Sequence, residues 1–403
     1  MYKLLVVVSL LLAACKAPNA GAGADAGAGT GTGGGSAGDA GSVGDGGATA
    51  DVDQFVLAHM QTARIPGLAA VAVKNDQTVF SGAWGEGDVT AHRPVTTDTL
   101  FMLASVSKTV TATALMQLWE LGKFKLDDPI DTLLGYQVRN PKFPDTAITY
   151  RMILSHTSSI EDGIHSFDYY VTDMDSPISL AALYDGYLKP GGAYYDASNW
   201  NATNAPGTHY SYSNLGLSLG GLLVEKIAGM SLQDYCQQHI FAPLGMNESS
   251  YLLTGLDHTH IAMPYSVDTS GNYTPAGYYC YPDYPDGQLR TSASQLSRFL
   301  MSFIQFGQYG GAQILAKATV EEMRKQQPSS QEGLQWEFDT IGGTQVIGHG
   351  GSDLGVSTMI AFDPATGAGF VVLTNGNVYS NGDAAQIQAL DEIYAEILQL
   401  AEK

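Results

Sequence analysis

The sequence predicts a mixed α/β (α+β) fold in which helices flank a central antiparallel sheet. Strand-like alternation occurs near both ends of the folded part, at residues 68–73 and 78–83 and again at 358–362 and 369–374. Each pair of segments flanks a turn-forming sequence, as in a hairpin. The middle of the chain is richer in helix-forming and loop-forming residues. We therefore expect a sheet built from both chain ends, with a helical region inserted between them.

Helix signals support the same architecture. Residues 52–63 are amphipathic, and residues 105–121 carry good helix formers and stop at Gly122, a typical C-cap residue. Near the C-terminus, Asp383 is a suitable N-cap for a last helix. That helix would place five apolar side chains on one face: Ile387, Leu390, Tyr394, Ile397 and Leu398.

The N-terminus carries an export signal. Lys3 precedes the apolar run 4–12, which is typical of a secretory signal and too short to span a bilayer as a helix. The following Ala13-Ala14-Cys15 resembles the bacterial lipobox, in which the cysteine becomes the lipidated first residue after cleavage. We expect residues 1–15 to be a lipoprotein signal peptide, with plain secretion as the alternative. The mature protein would be an exported bacterial protein, anchored by lipid to a membrane and facing the periplasm or the cell surface.

The rest of the chain divides into two parts of different composition. Residues 16–50 are mostly Gly, Ala, Ser, Thr and Asp, so they cannot bury apolar area and should form a flexible tether with a reach of roughly 30 Å. Residues 51–403 should form one folded domain. The formal charge of −21 argues against nucleic acid and against a basic lipid-binding patch, so the lipid anchor is the only membrane contact that we expect.

Cysteine usage leaves the redox state of the domain open. Cys236 and Cys280 lie in a domain that we expect to be exported, where either a disulfide or two buried thiols are chemically allowed. No Cys/His spacing indicates a metal site, and we expect neither a metal nor a cofactor. The sequence does not indicate an oligomeric state.

The most informative local pattern is Ser105 followed three residues later by Lys108. At the start of a helix these residues lie one turn apart on the same face, so the lysine amine is beside the serine hydroxyl. Serine is a poor nucleophile until a neighbouring base takes its proton. Alone, the pattern fits an ordinary capped helix start equally well. Two further motifs favour the chemical interpretation.

These motifs contain the other candidate site residues. In the segment 206–214, Tyr212 and Asn214 would lie on one side of a short loop or strand. A nearby lysine ammonium would lower the phenol pKa from about 10 and make Tyr212 a base, while the Asn214 amide would bind a substrate carbonyl and the lysine. In the segment 348–352, glycines let the backbone approach a ligand, and His349 would bind a carboxylate or support the leaving group.

Together the motifs resemble the serine β-lactamase and penicillin-recognising family. The likeness is strongest to its class C β-lactamase and D-alanyl-D-alanine carboxypeptidase branch, which also contains esterases and D-aminopeptidases. It runs from about residue 52 to 398 and includes the segments 65–67, 149–158 and 287–293. The resemblance implies a serine β-lactamase-like fold. It also implies that Ser105 is the acylated nucleophile, Lys108 its proton partner and Tyr212 the general base.

The resemblance further assigns substrate-binding roles. Asn214 would bind the substrate and the lysine, His349 would stand where many members have Lys, and Gly351 would close that motif. The backbone N–H groups of Ser105 and Ser352 would form an oxyanion hole, which typically contributes a few kcal/mol to transition-state binding.

The implied function is that of an exported serine hydrolase acting on an ester or amide. Small molecules, peptides and cell-wall-type compounds are all candidate substrates. His349 in place of Lys favours a D-peptidase, carboxypeptidase or esterase over the alternative, a true class C-like β-lactamase. Ser159 stands where the family usually has Gly, which predicts a different shape for that loop.

Two other classes of protein also fit parts of the sequence. The segment 216–220 reads Gly-Leu-Ser-Leu-Gly and matches the nucleophile elbow of α/β-hydrolases, with Ser218 as nucleophile. The preceding residues 211–214 are polar, however, where an elbow needs a buried strand. The other alternative is a catalytically silent binding protein on the same fold. A covalent serine label distinguishes these possibilities.

The lipobox-like sequence makes a testable prediction. Native protein should partition into the detergent phase during phase separation, because several acyl chains anchor a protein stably. Cys15→Ala should move the protein into the aqueous phase. A native protein that stays aqueous and carries a free Cys15 thiol by mass spectrometry would contradict the prediction.

Overall fold

The computed structural model describes residues 46–165, 169–268 and 270–403. The predicted signal peptide with Cys15 and residues 16–45 of the predicted tether lie outside the described residues. The first helix, α1 (Gly46–Ala63), begins six residues before the expected start at residue 52.

The described residues form eleven α-helices and fifteen strands. After α1, the helices are α2 (Ser107–Glu120), α3 (Asp131–Leu134), α4 (Tyr150–Leu154), α5 (Leu180–Leu188), α6 (Asn214–Ala228), α7 (Leu232–Cys236), α8 (Ala293–Ile304), α9 (Lys317–Arg324), α10 (Val378–Asn381) and α11 (Ala384–Glu402). Short 3₁₀ turns span Ala104–Val106, Ala197–Asn199, His258–His260 and Tyr284–Asp286, and a π-helical turn spans Gln237–Phe241.

The strands follow the same chain order. They are β1 (Gly67–Lys74), β2 (Gln77–Asp88), β3 (Arg93–Pro94), β4 (Phe101–Met102), β5 (Val171–Thr172), β6 (Tyr265–Val267), β7 (Tyr273–Pro275), β8 (Tyr279–Cys280), β9 (Arg290–Thr291), β10 (Gln308–Tyr309), β11 (Ala312–Gln313), β12 (Glu337–Ile341), β13 (Thr344–Asp353), β14 (Val356–Phe362) and β15 (Ala368–Thr374).

Seven strands form the main sheet, in the order β12-β13-β14-β15-β1-β2-β3. Every neighbouring pair is antiparallel. The two chain ends meet at the centre, where Val71 of β1 lies opposite Val371 of β15 on one side and Ser81 of β2 on the other. The predicted fold class is therefore confirmed: an antiparallel sheet built from both chain ends.

Each face of the sheet packs against helices. Because side chains alternate along a strand, Leu68 and Ala70 of β1 face one way and Ala69 and Val71 face the other. The first face packs against α1 and α11, and the second packs against α8. The predicted last helix is confirmed with its apolar face in this core, and Asp383 forms a capping box at its start.

The inserted helical region is organised around α2. Every residue of α2 from Ser107 to Leu118 is buried, and α6 is its main neighbour. No single helix among the described residues is long and apolar enough to cross a membrane. The helix α6 and the segment Leu232–Phe241 meet the length and composition requirement only together, and they are separated by a 78° bend.

The sequence located most, but not all, of these elements. The hairpin β1–β2 and the pair β14–β15 lie where the alternation predicts them. The strands β12 and β13 were missed. In β13 the glycines at 348, 350 and 351 remove the β-branched alternation by which a strand is identified. This omission matters, because β13 carries the third candidate motif.

Candidate active site

Ser105 lies in the 3₁₀ turn Ala104–Val106, which leads directly into α2. We expected a helix from Ser105; the α-helix instead begins at Ser107, after the chain bends at Ala104, whose φ of +47° is unusual for a residue with a Cβ. Gly351 of β13 approaches this bend closely, since an added Cβ would collide with the carbonyl oxygen of Leu103. The bend therefore presents Ser105 where the sheet meets the helical region.

Lys108 lies in the first turn of α2 and is fully buried. The structure places its Nζ 2.9 Å from Oγ of Ser105, as the sequence spacing predicts. Nζ also donates to Oδ1 of Asn214 at 2.7 Å and to the backbone carbonyl of Asp286 at 2.8 Å. Burial lowers the pKa of Lys108, and the negative charge of nearby carboxylates, Asp286 first, opposes this effect. This amine therefore loses its proton more readily than a surface lysine does.

Tyr212 completes the set of groups around the nucleophile. Its hydroxyl donates to Oγ of Ser105 at 2.8 Å, and its ring lies 4.3 Å from the ring of His156. Burial raises the pKa of Tyr212 well above 10, the hydrogen bond with Ser105 lowers it, and the charge of Glu337 raises it. We had expected a lysine ammonium to lower this pKa. The direction is the opposite, because removal of the phenolate from water outweighs the other effects.

Asp162 holds the segment that carries Tyr212 and Asn214, and the sequence analysis missed it. Its carboxylate accepts hydrogen bonds from Oγ of Ser213, from the backbone N–H groups of Asn214 and Leu215, and from Nδ2 of Asn214, at 2.9 to 3.0 Å. A carboxylate is well placed here, at the N-terminus of α6. Because Nδ2 of Asn214 donates its hydrogen bond to Asp162, Oδ1 of the same amide faces Lys108. No local spacing signals Asp162, which is 52 residues from Asn214.

The loop before Asp162 adopts backbone conformations that usually suit glycine. Ser159 has a φ of +61° and His156 a φ of +53°. Ser159 therefore occupies the left-handed region that a glycine at this position would favour, and its Oγ accepts from Nδ2 of Asn140 at 3.2 Å. Nδ1 of His156 accepts a hydrogen bond from the backbone N–H of Ser213 at 3.1 Å. This bond connects the loop to the segment that carries Tyr212.

Two buried carboxyl groups, Asp283 and Asp286, lie near Lys108 and were also missed. Burial raises the pKa of Asp283 to about 7. Burial and the charge of Asp283 raise the pKa of Asp286 well above its ordinary value. Among the described residues, Oδ1 of Asp283 and Oδ2 of Asp286 have no hydrogen-bond partner. Asp286 therefore contacts Lys108 through its backbone carbonyl and not through a carboxylate ion pair.

The strand β13 passes its residues 349–353 beside the nucleophile turn. β12 begins with Glu337 opposite Gly348, so the described pairing on that side ends before residue 349. An edge with free backbone groups is suited to a peptide-like substrate. Ser352 lies on the opposite face from Gly351, with its Oγ 2.8 Å from Oγ of Ser380, so only its backbone is available for the predicted oxyanion hole.

His349 is neutral in this environment. Its side chain is 1% exposed, and Nδ1 lies 2.7 Å from the carbonyl oxygen of Gly350. Since a carbonyl oxygen only accepts, Nδ1 carries the proton. Burial lowers the pKa of His349, although the Glu337 carboxylate opposes this effect. We expected His349 to bind a substrate carboxylate when its ring is protonated. With its lowered pKa, the ring is instead uncharged at neutral pH.

Ser218 lies in the middle of α6, fully buried, where its hydroxyl donates to the carbonyl of Asp283 at 3.1 Å. The α/β-hydrolase interpretation is wrong, because a nucleophile elbow must expose its serine between a strand and a helix. Cys236 and Cys280 are both free and buried, so they do not form a disulfide. In the part of the chain that the structure describes, no group of three His, Cys, Asp or Glu side chains is placed to hold a metal ion.

Comparisons with known proteins agree with this geometry. The chain is 28% identical over 330 residues to penicillin-binding protein 4 of Amycolatopsis lactamdurans, covering 78% of this chain and 82% of that protein. It spans 51% and 63% of the length of two further curated relatives.

Solved structures that share the fold include an amidase and a carboxypeptidase. The D-amino acid amidase of Ochrobactrum anthropi SV3 superposes with a TM-score of 0.70 at 20% identity, covering 87% of this chain and 99% of that one. A D-alanine carboxypeptidase of Burkholderia cenocepacia superposes with a TM-score of 0.64 at 23% identity, with the same coverage. The profile described as Beta-lactamase matches residues 52–395, so this chain belongs to the beta-lactamase family.

Proposed function

We propose that this protein is an exported serine hydrolase that cleaves an ester or amide through an acyl-enzyme on Ser105. One observation carries the proposal: Oγ of Ser105 lies within hydrogen-bond distance of both Nζ of Lys108, at 2.9 Å, and Oη of Tyr212, at 2.8 Å. A serine with two proton-transfer groups on one oxygen is equipped for nucleophilic catalysis. Export and lipid anchoring at Cys15 are part of the proposal and are supported by the N-terminal sequence.

The directions of the pKa shifts favour Lys108 as the group that takes the proton of Ser105. A neutral amine has two N–H bonds and one lone pair. The carbonyl oxygens of Asn214 and Asp286 accept hydrogen bonds from these two N–H groups. The lone pair of the neutral amine is then free to accept the hydroxyl proton of Ser105. Tyr212 stays protonated and donates to the same oxygen.

A balanced acylation step follows from this arrangement. As Oγ of Ser105 attacks the substrate carbonyl, its proton passes to Lys108. The phenol of Tyr212 gives its proton to the leaving group, and the Lys108 ammonium then restores the proton of Tyr212. Water completes the cycle by hydrolysing the acyl-serine ester. We assign stabilisation of the developing oxyanion to the backbone N–H groups of Ser105 and Ser352.

The lowered pKa of His349 supports the proposed substrate class. A neutral ring does not provide the cation that would hold the carboxylate of a β-lactam. Some D-peptides, amino acid amides and simple esters have no carboxylate at that position, and these substrates do not need such a cation. One fold neighbour is a D-amino acid amidase, and this supports an activity on D-peptides, amino acid amides or esters.

Ser105→Ala should abolish covalent labelling by a fluorophosphonate or a penicillin, because it removes the attacking oxygen. The thermal midpoint should change little, since one half-buried hydroxyl is lost. Ser218→Ala is the matched control and should keep the label, as measured by intact mass and peptide mapping. Labelling that survives in Ser105→Ala would refute the proposed nucleophile.

Lys108→Met and Tyr212→Phe should each reduce kcat/KM by roughly 10²- to 10⁴-fold, the range for lost general acid–base catalysis. Since both groups serve one proton relay, the double variant should be within about tenfold of the poorer single variant. Acylation by the wild type should slow as the pH falls through the lowered pKa of Lys108, because a protonated amine accepts no proton. Fully additive losses in the three variants would mean that the two residues act in separate steps.

His349→Lys should raise kcat/KM for carboxylate-bearing lactams relative to p-nitrophenyl acetate, because a lysine beside the Glu337 carboxylate keeps its charge to higher pH than the imidazole does. Wild-type protein should hydrolyse short esters or D-alanyl peptides faster than cephalosporins. Faster wild-type hydrolysis of a cephalosporin than of any such ester or peptide would support the true β-lactamase alternative.

A further inference from the structure

His156 contacts all three residues of the short segment centred on Tyr212. The backbone N–H of Ser211 donates to the carbonyl oxygen of His156 at 2.8 Å. The backbone N–H of Ser213 donates to Nδ1 of His156 at 3.1 Å. Between these two bonds, the ring of His156 lies 4.3 Å from the ring of Tyr212, with 31° between their planes. One residue therefore contacts both the backbone on each side of Tyr212 and the phenol ring itself.

The bond with Ser213 requires one particular form of the His156 ring. An N–H group donates only to a bare ring nitrogen, so Nδ1 carries no proton while it accepts from Ser213. Burial lowers the pKa of His156 well below its ordinary value, and a positive charge on Lys108 or His349 lowers it further. The ring is therefore neutral at neutral pH, with its single proton on Nε2. A proton on Nδ1 would set two N–H groups against each other.

Two buried side chains present acceptors to the Nε2 side of the ring. Oε1 of Glu332 lies 3.9 Å from Nε2 of His156, and the amide of Gln335 raises the pKa of the ring, as an acceptor near a ring N–H does. Nε2, both carboxyl oxygens of Glu332 and Oε1 of Gln335 have no hydrogen-bond partner among the described residues. A carboxyl group keeps an acceptor oxygen whether or not it is protonated, and an amide oxygen is always an acceptor. Both groups therefore favour the proton on Nε2, which is the form that Ser213 requires.

The segment that carries these two acceptors is anchored directly before His156. Oγ of Ser330 donates to the carbonyl oxygen of Ser155 at 2.9 Å. Nε2 of Gln335 donates to the carbonyl oxygen of Leu154 at 3.0 Å. Gln335 has a φ of +63°, which is unfavourable for a residue with a Cβ, and yet its side chain is fully buried. A strained residue that is kept in a buried position indicates a requirement of its site, and here the buried amide faces the His156 ring.

We propose that His156 is a positioning residue for Tyr212. Glu332 and Gln335 support it by keeping the ring proton on Nε2. Tyr212 must direct its hydroxyl at Oγ of Ser105 while its proton passes to the leaving group. A displacement of about 1 Å can reduce a catalytic rate by about 100-fold, so the contacts of His156 affect the chemical step. The inference rests on the proposed function, in which Tyr212 protonates the leaving group.

The leaving group of the substrate distinguishes this role from a general loss of stability. Ethyl acetate and p-nitrophenyl acetate form the same acyl-enzyme, but p-nitrophenolate leaves as a stable anion, whereas ethoxide needs a proton. His156→Phe keeps an aromatic ring against Tyr212 and removes the Nδ1 acceptor. It should lower kcat/KM for ethyl acetate by about tenfold or more beyond its effect on p-nitrophenyl acetate, and Tyr212→Phe should do so more strongly. His209→Asn changes an exposed histidine of the same segment and should leave the ratio of the two kcat/KM values unchanged.

A conservative variant tests the acceptor itself. His156→Asn offers a carbonyl oxygen close to the position of Nδ1, and Asn tolerates the φ of +53° at residue 156. It should therefore recover most of the ratio that His156→Phe loses. The thermal midpoint and fluorophosphonate labelling of Ser105 check that each variant is folded. In folded His156→Phe, an equal loss for both esters, or a ratio that matches the wild type, would overturn the proposal.

Nitrogen NMR of the histidine rings needs neither turnover nor a destabilised variant. In Ser105→Ala with ¹⁵N-labelled histidine, the His156 ring should keep the neutral Nε2–H form between about pH 6 and about pH 8. Its resonances are assigned by their loss in Ser105→Ala/His156→Asn. The Nδ1–H form, or an ordinary titration near pH 6.5, would overturn the proposal. A wild type that hydrolyses neither ester and takes no label on Ser105 would refute the hydrolase function and the positioning role with it, whereas an active wild type with an unchanged ratio in His156→Phe would overturn the positioning role alone.

Discussion

The site depends on the burial of one lysine, Lys108, with which no carboxylate among the described residues forms an ion pair. Lys108 is fully buried in α2, and its three partners are two carbonyl oxygens and the hydroxyl of Ser105. A charged ammonium in such a place is costly, whereas a neutral amine with satisfied N–H bonds is not. The same burial that makes α2 the centre of the helical region therefore lowers the pKa of Lys108, and this direction supports our proposal that the amine acts as the base.

The hydrogen-bond partners of Lys108 come from segments that are distant in the sequence. The need to bring them to one amine joins the two halves of the fold. Asn214 comes from the start of α6, where Asp162 fixes the direction of its amide. Asp286 contributes a backbone carbonyl from a 3₁₀ turn. The strand β13 closes the site from the sheet, and it approaches closely only because residue 351 is glycine. Ser105 is thus held between the helical region and the sheet.

The sequence predicted those features that are encoded locally. Periodicity and caps located the hairpin β1–β2 and the helix α11, and the one-turn spacing brought Ser105 and Lys108 together. Features that arise from tertiary contact were not accessible. Asp162 and Asp286 act through residues 52 and 178 positions away, and no local spacing signals such partners. The glycines of β13 hid a strand for the same reason that they permit its close approach.

The electrostatic state of the site was also beyond local inference. A lysine next to a tyrosine indicates a lowered phenol pKa when both are treated as exposed groups, but burial acts on each of them and reverses the expectation for Tyr212. His349 shows the same effect, since burial lowers the pKa of a ring that would titrate near neutrality in water.

The pKa of Lys108 is the most direct test of this account. NMR titration of protein with ¹³C-labelled lysine side chains, with the Lys108 resonance assigned by its loss in Lys108→Met, reports the protonation of that amine. The account predicts that Lys108 titrates at clearly lower pH than exposed lysines such as Lys123. A Lys108 that titrates together with the exposed lysines would contradict a neutral base at Ser105.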